Sequence, residues 1–572
     1  MRIDRELGLR ILAAVVGAVI LSVLAPPLNL HWLHWIAYLP MFWALRAETP
    51  RQNRWLSFLY GTVGVAVLFR WLVDTITVFS PIPWLGAVGI LVLFSAVFGL
   101  QYLALWPMVH PLRQRLGPWW VAVFPALEVV LEWIAMKVFL FPYNHGVSQY
   151  RVPWTWQIVS VTGVWGLSYL VFLVNAALAE VMYRLRESKP VSPLDRSGLV
   201  AWRPFGGAAA AVAATVAFGI WRSHHVREAI DASPVMRVAQ LQSDKDMVYR
   251  GTHSARSAFE DWLAATRTVA PGAADLVVWP EGACPYDLND DAYPGRRNIA
   301  REVLSSEAKR GGFELAVGGG TRVRAPDSAM GESRVNVFNS VYFFGSDGQV
   351  EGHYDKLVPL PFGEYMPFGE YLPEKLEWLP RKVGIGDFRK GAAPVLFDGT
   401  KARIATPICY EAILPGTCRL FRDADLLVVV TNDAWFGNTA NPYQHAMLAA
   451  TRATELGIPM VRAAYTGVSF VVEPDGRITS ETTPFTAVNR IAEVHLAKFD
   501  TLYARFGDWF VGVCAIGVLV PGLAMLATAL DPLHAPAPRA PHETLEPHPG
   551  AGVESKLQKH GDRDAAEPRE PP

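Results

Sequence analysis

The chain has 572 residues, of which 51% are hydrophobic and only 18% are charged, and it contains 20 tryptophans. This composition is too apolar for an ordinary soluble protein of this length and indicates a membrane protein. The net charge of -1 gives no sequence-wide basis for nucleic-acid binding. The four cysteines form neither a disulfide framework nor a paired CxxC metal site, so we expect no metal and no cofactor.

Apolar stretches recur through the N-terminal third, and a membrane-spanning helix needs about 20 mostly apolar residues. Residues 1–221 therefore predict a membrane domain with seven helices, and 506–530 predict an eighth. The first stretch follows Arg2 and Arg5 and lacks a small-residue cleavage site, so we expect a retained helix. The seven predicted spans of the membrane domain are 9–25, 31–46, 55–79, 84–110, 118–140, 154–183 and 206–221.

Basic residues alternate between the connecting loops. The loops after the second, fourth and sixth spans are rich in Arg, whereas the other loops contain only Arg151. Because basic loops stay in the cytoplasm, we expect both termini to be cytoplasmic and 222–505 to lie outside. The segment 531–572 is rich in Pro and charge, so we expect a disordered cytoplasmic tail.

Residues 222–505 read as an α/β domain. Short β-branched runs such as DLVVWP, ARIATPICY and DLLVVVTND alternate with helical stretches. Three of the predicted strands end in chemically useful side chains, Glu281, Lys356 and Cys409, and sites are often built at such strand ends. A thiol is mostly protonated at neutral pH, so a nearby carboxylate acting as base and a cation facing the oxyanion would make Cys409 a nucleophile. Taken singly, each has a plain structural interpretation: a core cysteine, a turn carboxylate and a surface ion pair.

Taken together, these motifs carry a resemblance. VVWPEG, YDKLVPLPFGEYMPFGEYLP, ICYE and TNDAWFG, in that order, resemble the carbon–nitrogen hydrolase (nitrilase) superfamily. The surrounding spans, with LAPPLNLHWLHWIAYLPMFWAL, FPYNHGVSQY and QHAMLAATRATELGIPMVRAAYTGVSF, are similar to the apolipoprotein N-acyltransferase family within it. The likeness covers about residues 8–530.

The resemblance implies a fold, a reaction and a location. The fold would be a nitrilase-like αββα sandwich outside the membrane domain. The reaction would move an acyl chain from a phospholipid, through a cysteine thioester, to the α-amine of a lipoprotein's N-terminal diacylglyceryl cysteine. The protein would lie in the bacterial inner membrane with a periplasmic active site. Apart from the resemblance, we expect a monomer and no nucleic-acid partner.

The same resemblance assigns residues. It implies that Cys409 is the nucleophile, Glu281 the general base and Lys356 the oxyanion-stabilising residue. Supporting positions implied by the family are Glu364, Tyr410, Glu411, Trp435 and Asn339. The chain departs from the family in LVPLPFGEY, which has two more residues between Lys356 and Glu364 than the usual LVPFGEY. This departure affects the expected substrate preference more than the chemistry.

Several other polar residues have structural interpretations. Arg70 and Asp74, four apart in an apolar span, are expected to pair with each other, or else to meet a lipid head group. Glu128 and Glu132, followed by Lys137, are expected to form a structural polar cluster. The other expectations are that His445 packs under the sheet, that Cys284 serves packing, and that His145 is either an interface residue or lies near a substrate entrance.

Two questions remain open from the sequence. The apolar loop 357–380 is either a lid that dips into the membrane or ordinary core. A membrane-tethered amidase or nitrilase is the alternative enzyme, although a tether needs one helix rather than eight. A transporter or scaffold with an inactive hydrolase domain is opposed by the intact Glu281, Lys356 and Cys409.

Overall fold

A computed structural model describes residues 4–138, 143–187, 196–245, 254–289, 297–324, 335–367, 369–371 and 385–530. The predicted tail, 531–572, and part of the predicted lid, 357–380, lie outside these residues. Met1–Gly522 forms one compact unit, and of the second unit, Leu523–Pro572, only the end of a helix is described.

The N-terminal part is helical. A run of Ala, Val, Ile and Leu forms α1, whose N-terminus is capped by the Asp4 side chain accepting from the Leu7 amide. The helices of this part are α1 (Arg5–Leu24), α2 (Leu39–Ala44), α3 (Pro50–Leu68), α4 (Trp71–Phe79), α5 (Trp84–Leu105), α6 (Val109–Leu116), α7 (Trp120–Val138), α8 (Pro153–Trp156), α9 (Val159–Thr162), α10 (Trp165–Glu187) and α11 (Arg196–Asp231).

Four helical stretches of the described residues are long and apolar enough to cross a membrane, and a fifth counts if α3 and α4 form one broken span bent by 55°. The four are Arg5–Leu24, Trp84–Val138, Trp165–Glu187 and Trp202–Asp231. The stretch Trp84–Val138 contains both α5 and α7. The chain therefore has several apolar helices, and the count of eight spans remains a prediction.

Several predicted spans are not single helices, and 31–46 and 154–183 depart most from the prediction. In place of 31–46 the chain makes a 3-10 turn, His31–Trp35, and the six-residue α2, which has a proline in its first turn. In place of 154–183 it makes α8, α9 and α10, and Gly163, with a φ of 66°, ends α9. Apolar composition predicts burial, but proline and a left-handed glycine interrupt helical hydrogen bonding.

The remaining domain contains two six-stranded sheets. The first has the order β12-β1-β2-β3-β4-β5 and the second β11-β10-β9-β8-β7-β6. The strands are β1 (Val235–Gln242), β2 (Leu276–Trp279), β3 (Glu314–Arg324), β4 (Val335–Phe344), β5 (Val350–Asp355), β6 (Leu396–Asp398), β7 (Arg403–Ala405), β8 (Leu426–Thr431), β9 (Met460–Ala464), β10 (Phe470–Val472), β11 (Ile478–Thr479) and β12 (Val488–His495).

Five further helices follow in chain order. They are α12 (Ala255–Arg267), α13 (Ile299–Gly311), α14 (Pro415–Cys418), α15 (Asn441–Leu456) and α16 (Leu502–Phe506), and the chain ends its described part in α17 (Trp509–Leu530).

The two sheets pack face to face, with helices outside them. Val278 of the first sheet and Val428 of the second belong to one buried core, and the outer face of the first sheet packs on α12 and α13. Gln240 of β1 donates across the interface to the carbonyls of Arg462 and Phe470, at 3.1 and 2.9 Å. This layering is the predicted αββα sandwich, and it brings the ends of β2, β5, β7 and β8 into one region.

Candidate active site

Cys409 lies in a strained turn that follows β7. Its φ of 51° falls in the left-handed region, which a residue with a side chain rarely adopts and which costs about 1–3 kcal/mol. It begins the 3-10 turn Cys409–Ile413 directly after Ile408, which bridges to Val430 of β8. The side chain is buried, with 7% of its surface exposed. Such strain persists only where the surroundings hold it, and it often marks a functional residue.

The carboxylate and ammonium predicted for the site are in direct contact. Lys356 Nζ lies 3.2 Å from Glu281 Oε1 and 2.8 Å from Glu364 Oε2. Asn339 bridges the two carboxylates, donating from Nδ2 to an oxygen of each at 2.6 Å. The Asn432 amide donates to the second oxygen of Glu281 at 2.8 Å. Each of these groups is therefore fixed by at least one neighbour.

The electrostatics agree with a neutral resting thiol and a charged lysine. Burial raises the pKa of the Cys409 thiol above its ordinary value; Glu281 adds to this effect, and Lys356 and a hydrogen bond with Thr431 oppose it. Burial alone would lower the pKa of Lys356, but the Glu281 and Glu364 carboxylates together raise it well above its usual range. The thiol therefore needs a base, and the charged Lys356 ammonium favours the thiolate.

Glu411 joins the loop after β5 to the turn that holds Cys409. Its Oε1 accepts from the Leu357 amide at 2.6 Å and from the Tyr354 hydroxyl at 2.8 Å, and its Oε2 accepts from the Ile408 amide at 2.8 Å. Because its side chain is wholly buried and occupied by these donors, it fixes the relative positions of the two loops. These contacts agree with the supporting position predicted for Glu411.

The two predicted aromatics lie at different depths. Tyr410 is buried and lines the same cavity as Cys409. Trp435 is 41% exposed, and its ring packs against Phe79 of α4 with a centroid distance of 4.5 Å. Trp435 therefore contacts the helical part of the protein instead of joining the polar cluster.

The sequence did not predict a buried ionic cluster that contacts the turn of Cys409. Asp433 accepts from His445 Nδ1 at 2.8 Å and from Arg462 at 2.9 Å, and the Arg462 guanidinium and His445 lower the pKa of Asp433 to about 2 despite its burial. His445 is buried as expected, yet its Nε2 lies 3.3 Å from the Cys409 carbonyl oxygen. The available signal was the TND sequence at the end of β8, which contains Asp433.

A cavity opens beside the thiol. Its lining combines Cys409 and Tyr410 with Leu360, and with Phe69 and Trp71 from the helical part. Most of this lining is apolar, so the cavity suits a hydrocarbon chain. Trp71 also donates to Gln444 of α15 at 3.2 Å, which fixes the helical wall against the sheet domain.

The other polar residues singled out from sequence behave differently from one another. Arg70 and Asp74 form no ion pair with each other within the described residues, although Arg70 is the N-cap of α4 and Asp74 lies in its first turn. Lys137 lies over the Trp133 ring rather than beside the glutamates of α7.

Two further expectations concern cysteine and metal. Cys284 is buried, with Sγ 3.5 Å from the Tyr286 carbonyl. Among the residues that the structure describes, no group of three or more His, Cys, Asp or Glu side chains is arranged to hold a metal ion.

Two family models match the two parts of the chain. A family model described as "Carbon-nitrogen hydrolase" matches residues 237–502, and one described as "Apolipoprotein N-acyltransferase N-terminal domain" matches residues 17–177. Among solved structures, an amidase from Nesterenkonia sp. AN1 matches with a TM-score of 0.33 and 18% identity, covering 49% of this chain and 95% of that chain.

Curated relatives match over almost the whole length. A protein of Geobacter metallireducens named "Apolipoprotein N-acyltransferase" is 31% identical over 538 residues, covering 91% of this chain and 96% of its own. A protein of Bradyrhizobium diazoefficiens with the same name is 29% identical, covering 87% of this chain and 91% of its own. With a hydrolase-type sandwich, an N-terminal helical domain and end-to-end similarity of this degree, the chain belongs to the apolipoprotein N-acyltransferase family.

Proposed function

We propose that this protein transfers an acyl chain from a phospholipid to the α-amine of a diacylglyceryl cysteine at the N-terminus of a lipoprotein. One observation carries the proposal: a buried cysteine in a strained turn interacts electrostatically with the Glu281–Lys356 ion pair and lines an apolar cavity that has a wall of membrane-type helices. The names of the family relatives supply the acceptor class.

In the first half-reaction, Glu281 takes the proton of the Cys409 thiol and the thiolate attacks an ester carbonyl of the phospholipid. The Lys356 ammonium, which is held beside Glu281, then stabilises the negative charge of the oxyanion that forms. The carbon–oxygen bond breaks, the departing lysophospholipid alkoxide takes the proton from Glu281, and a thioester remains on Cys409.

In the second half-reaction, the neutral amine of the acceptor attacks the thioester. Glu281 takes a proton from the attacking nitrogen, the carbon–sulfur bond breaks, and the Cys409 thiolate recovers the proton. Asn339 and Glu364 hold the Glu281 carboxylate and the Lys356 ammonium in fixed positions during both half-reactions. The two substrates use the same thiol in turn, which is a ping-pong scheme.

The helical domain gives both substrates a route to the thiol. Long acyl chains leave a bilayer at a cost of roughly 0.8 kcal/mol per CH₂, so the site must receive them from the membrane itself. We propose an inner-membrane protein with eight spans, both termini in the cytoplasm and the sandwich on the periplasmic side. We propose that it acts as a monomer.

The test is to incubate the purified full-length protein with phospholipid and to measure, by mass spectrometry, an acyl group on the peptide that contains Cys409. Adding a diacylglyceryl-cysteine peptide should then remove that group and yield the N-acylated peptide. Cys409→Ser should abolish the adduct, and the matched control Cys284→Ser should keep it. Release of free fatty acid at a rate that the peptide does not change would instead indicate an amidase-type hydrolase.

A further inference from the structure

A second cavity lies among the membrane-type helices and contains two buried carboxylates. Glu128 and Glu132, one turn apart on α7, line it together with Gln101 and Tyr102 of α5. The remaining wall is largely apolar and comes mainly from α1, α3, α5 and α7, and the buried imidazoles of His34 and His145 also line the cavity. Glu128 and Glu132 are only 5% and 6% exposed, so neither charge is hydrated at the protein surface.

The cavity adjoins the proposed acyl-transfer site. Phe69 and Tyr143 line both this cavity and the one that contains Cys409. The Tyr143 hydroxyl, which lies between them, is buried and has no hydrogen-bond partner. The two cavities are therefore neighbours, separated by these two rings.

The hydrogen bonds around the carboxylates leave one acceptor without a donor. Glu132 Oε1 accepts from the His145 amide and the Ser168 side chain interacts with the same carboxylate, but Glu132 Oε2 is buried without a hydrogen-bond partner in direct contact. Glu128 Oε1 lies 3.5 Å from His145 Nε2, whose other ring nitrogen is 2.5 Å from the Tyr38 hydroxyl. The described residues that line the cavity include no Lys or Arg.

Two buried carboxylates keep their charge in a low-dielectric site only if a cation or hydrogen-bond donors stabilise it. A primary ammonium supplies both, since it has one positive charge and three N–H donors. We propose that Glu128 and Glu132 form a subsite for a primary ammonium group of a substrate of the acyl transfer. This rests on the proposed function, whose two substrate classes both offer such a group: an ethanolamine head group on the donor and the α-amine of the acceptor.

The test uses Glu132→Gln in the full-length protein, because glutamine keeps the shape and an acceptor for the His145 amide but removes the charge. Cys409 acylation without acceptor is measured by intact mass with vesicles of phosphatidylethanolamine, phosphatidylglycerol or phosphatidylcholine carrying identical chains. In a second arm, acyl-enzyme formed beforehand is mixed with a diacylglyceryl-cysteine peptide, and single-turnover transfer is measured against peptide concentration. Glu180→Gln is the control, since it removes a buried carboxylate that Arg113 holds outside the cavity.

If the head group binds, Glu132→Gln slows acylation from phosphatidylethanolamine at least tenfold and leaves the other two lipids within twofold. If the acceptor amine binds, acylation is unchanged and the half-saturating peptide concentration rises at least tenfold. In both cases the Glu180→Gln control should keep the wild-type relative acylation rates from the three lipids and the wild-type half-saturating peptide concentration.

The subsite would be overturned if Glu132→Gln and Glu128→Gln both kept the wild-type relative acylation rates from the three lipids and the wild-type half-saturating peptide concentration. With wild-type protein active, that result would leave the proposed function intact. A wild-type protein that forms no Cys409 adduct from any of the three lipids would refute the proposed function itself.

Discussion

The buried ammonium of Lys356 offers a test of how the site is held together. It lies 3.2 Å from Glu281 and 2.8 Å from Glu364, and its side chain is 1% exposed. At an effective dielectric constant of about 20, the electrostatic attraction of each contact is roughly 5 kcal/mol. Much of this attraction offsets the free-energy cost of removing the charges from water. Lys356→Met leaves two carboxylates facing each other without a cation, which should cost about 3–5 kcal/mol. For a domain of this size the melting temperature should fall by roughly 10 °C.

A double variant separates this stability effect from catalysis. Lys356→Met combined with Glu364→Gln leaves a single carboxylate, still held by Asn339 and Asn432, so its melting temperature should lie above that of Lys356→Met alone. Both variants should lack the acyl adduct. The measurement is a thermal melt of the detergent-solubilised protein beside the mass assay.

Lys401→Met is the control for these melts, because Lys401 is a half-exposed lysine paired with Asp275, and it should change stability by less than about 1 kcal/mol. A double variant less stable than Lys356→Met, or a Lys356→Met variant as stable as wild type, would refute the reasoning.

Two further predictions concern backbone space and pH. A Cβ added at Gly318 would lie 2.2 Å from the Pro280 carbonyl oxygen and 2.7 Å from Glu281 Cα, so Gly318→Ala should displace Glu281 and abolish acylation. Gly319→Ala, whose nearest contact is 3.4 Å, should keep acylation near wild type, and equal activities would contradict this. Asp433, with a folded pKa of about 2, should stabilise the protein by about 2 kcal/mol above its unfolded pKa near 4 and lose this as pH falls through 2. Melts from pH 6 to pH 2 should therefore converge for wild type and Asp433→Asn, and a constant gap would refute the assignment.

The sequence allowed the sandwich and the main contacts of the site to be predicted. Strands that are apolar throughout, such as Leu276–Trp279 and Leu426–Thr431, are recognisable by composition, and the polar residues that follow them meet at one edge. The contact of Glu281 with Lys356 was expected for this reason and for the family resemblance. The assignment of these residues to catalytic roles stays a prediction until the thioester is measured.

The parts that sequence did not predict depend on pairing between distant segments. Arg462 contacts Asp433 because β8 and β9 are parallel neighbours in the second sheet. The pairing of these two strands cannot be predicted from one sequence alone. Likewise, the apolar run 31–46 suggested a spanning helix, whereas tertiary packing places His34 and Tyr38 in a buried polar network with His145. Hydropathy reports that such residues are buried, but not whether they lie in one continuous helix.

The junction between helices and sheets explains how one site serves charged chemistry and apolar substrates together. The break between α3 and α4 turns the chain by 55° and directs α4 against the turn that follows β8. Phe79 there packs on Trp435, and Trp71 reaches Gln444. A straight continuation of α3 would lack this turn toward the sheet domain and would leave the thiol cavity without that wall. The sheet domain thus supplies the Glu281–Lys356 pair, and the bent helix supplies apolar surface within the same cavity, so losing either contribution should abolish transfer.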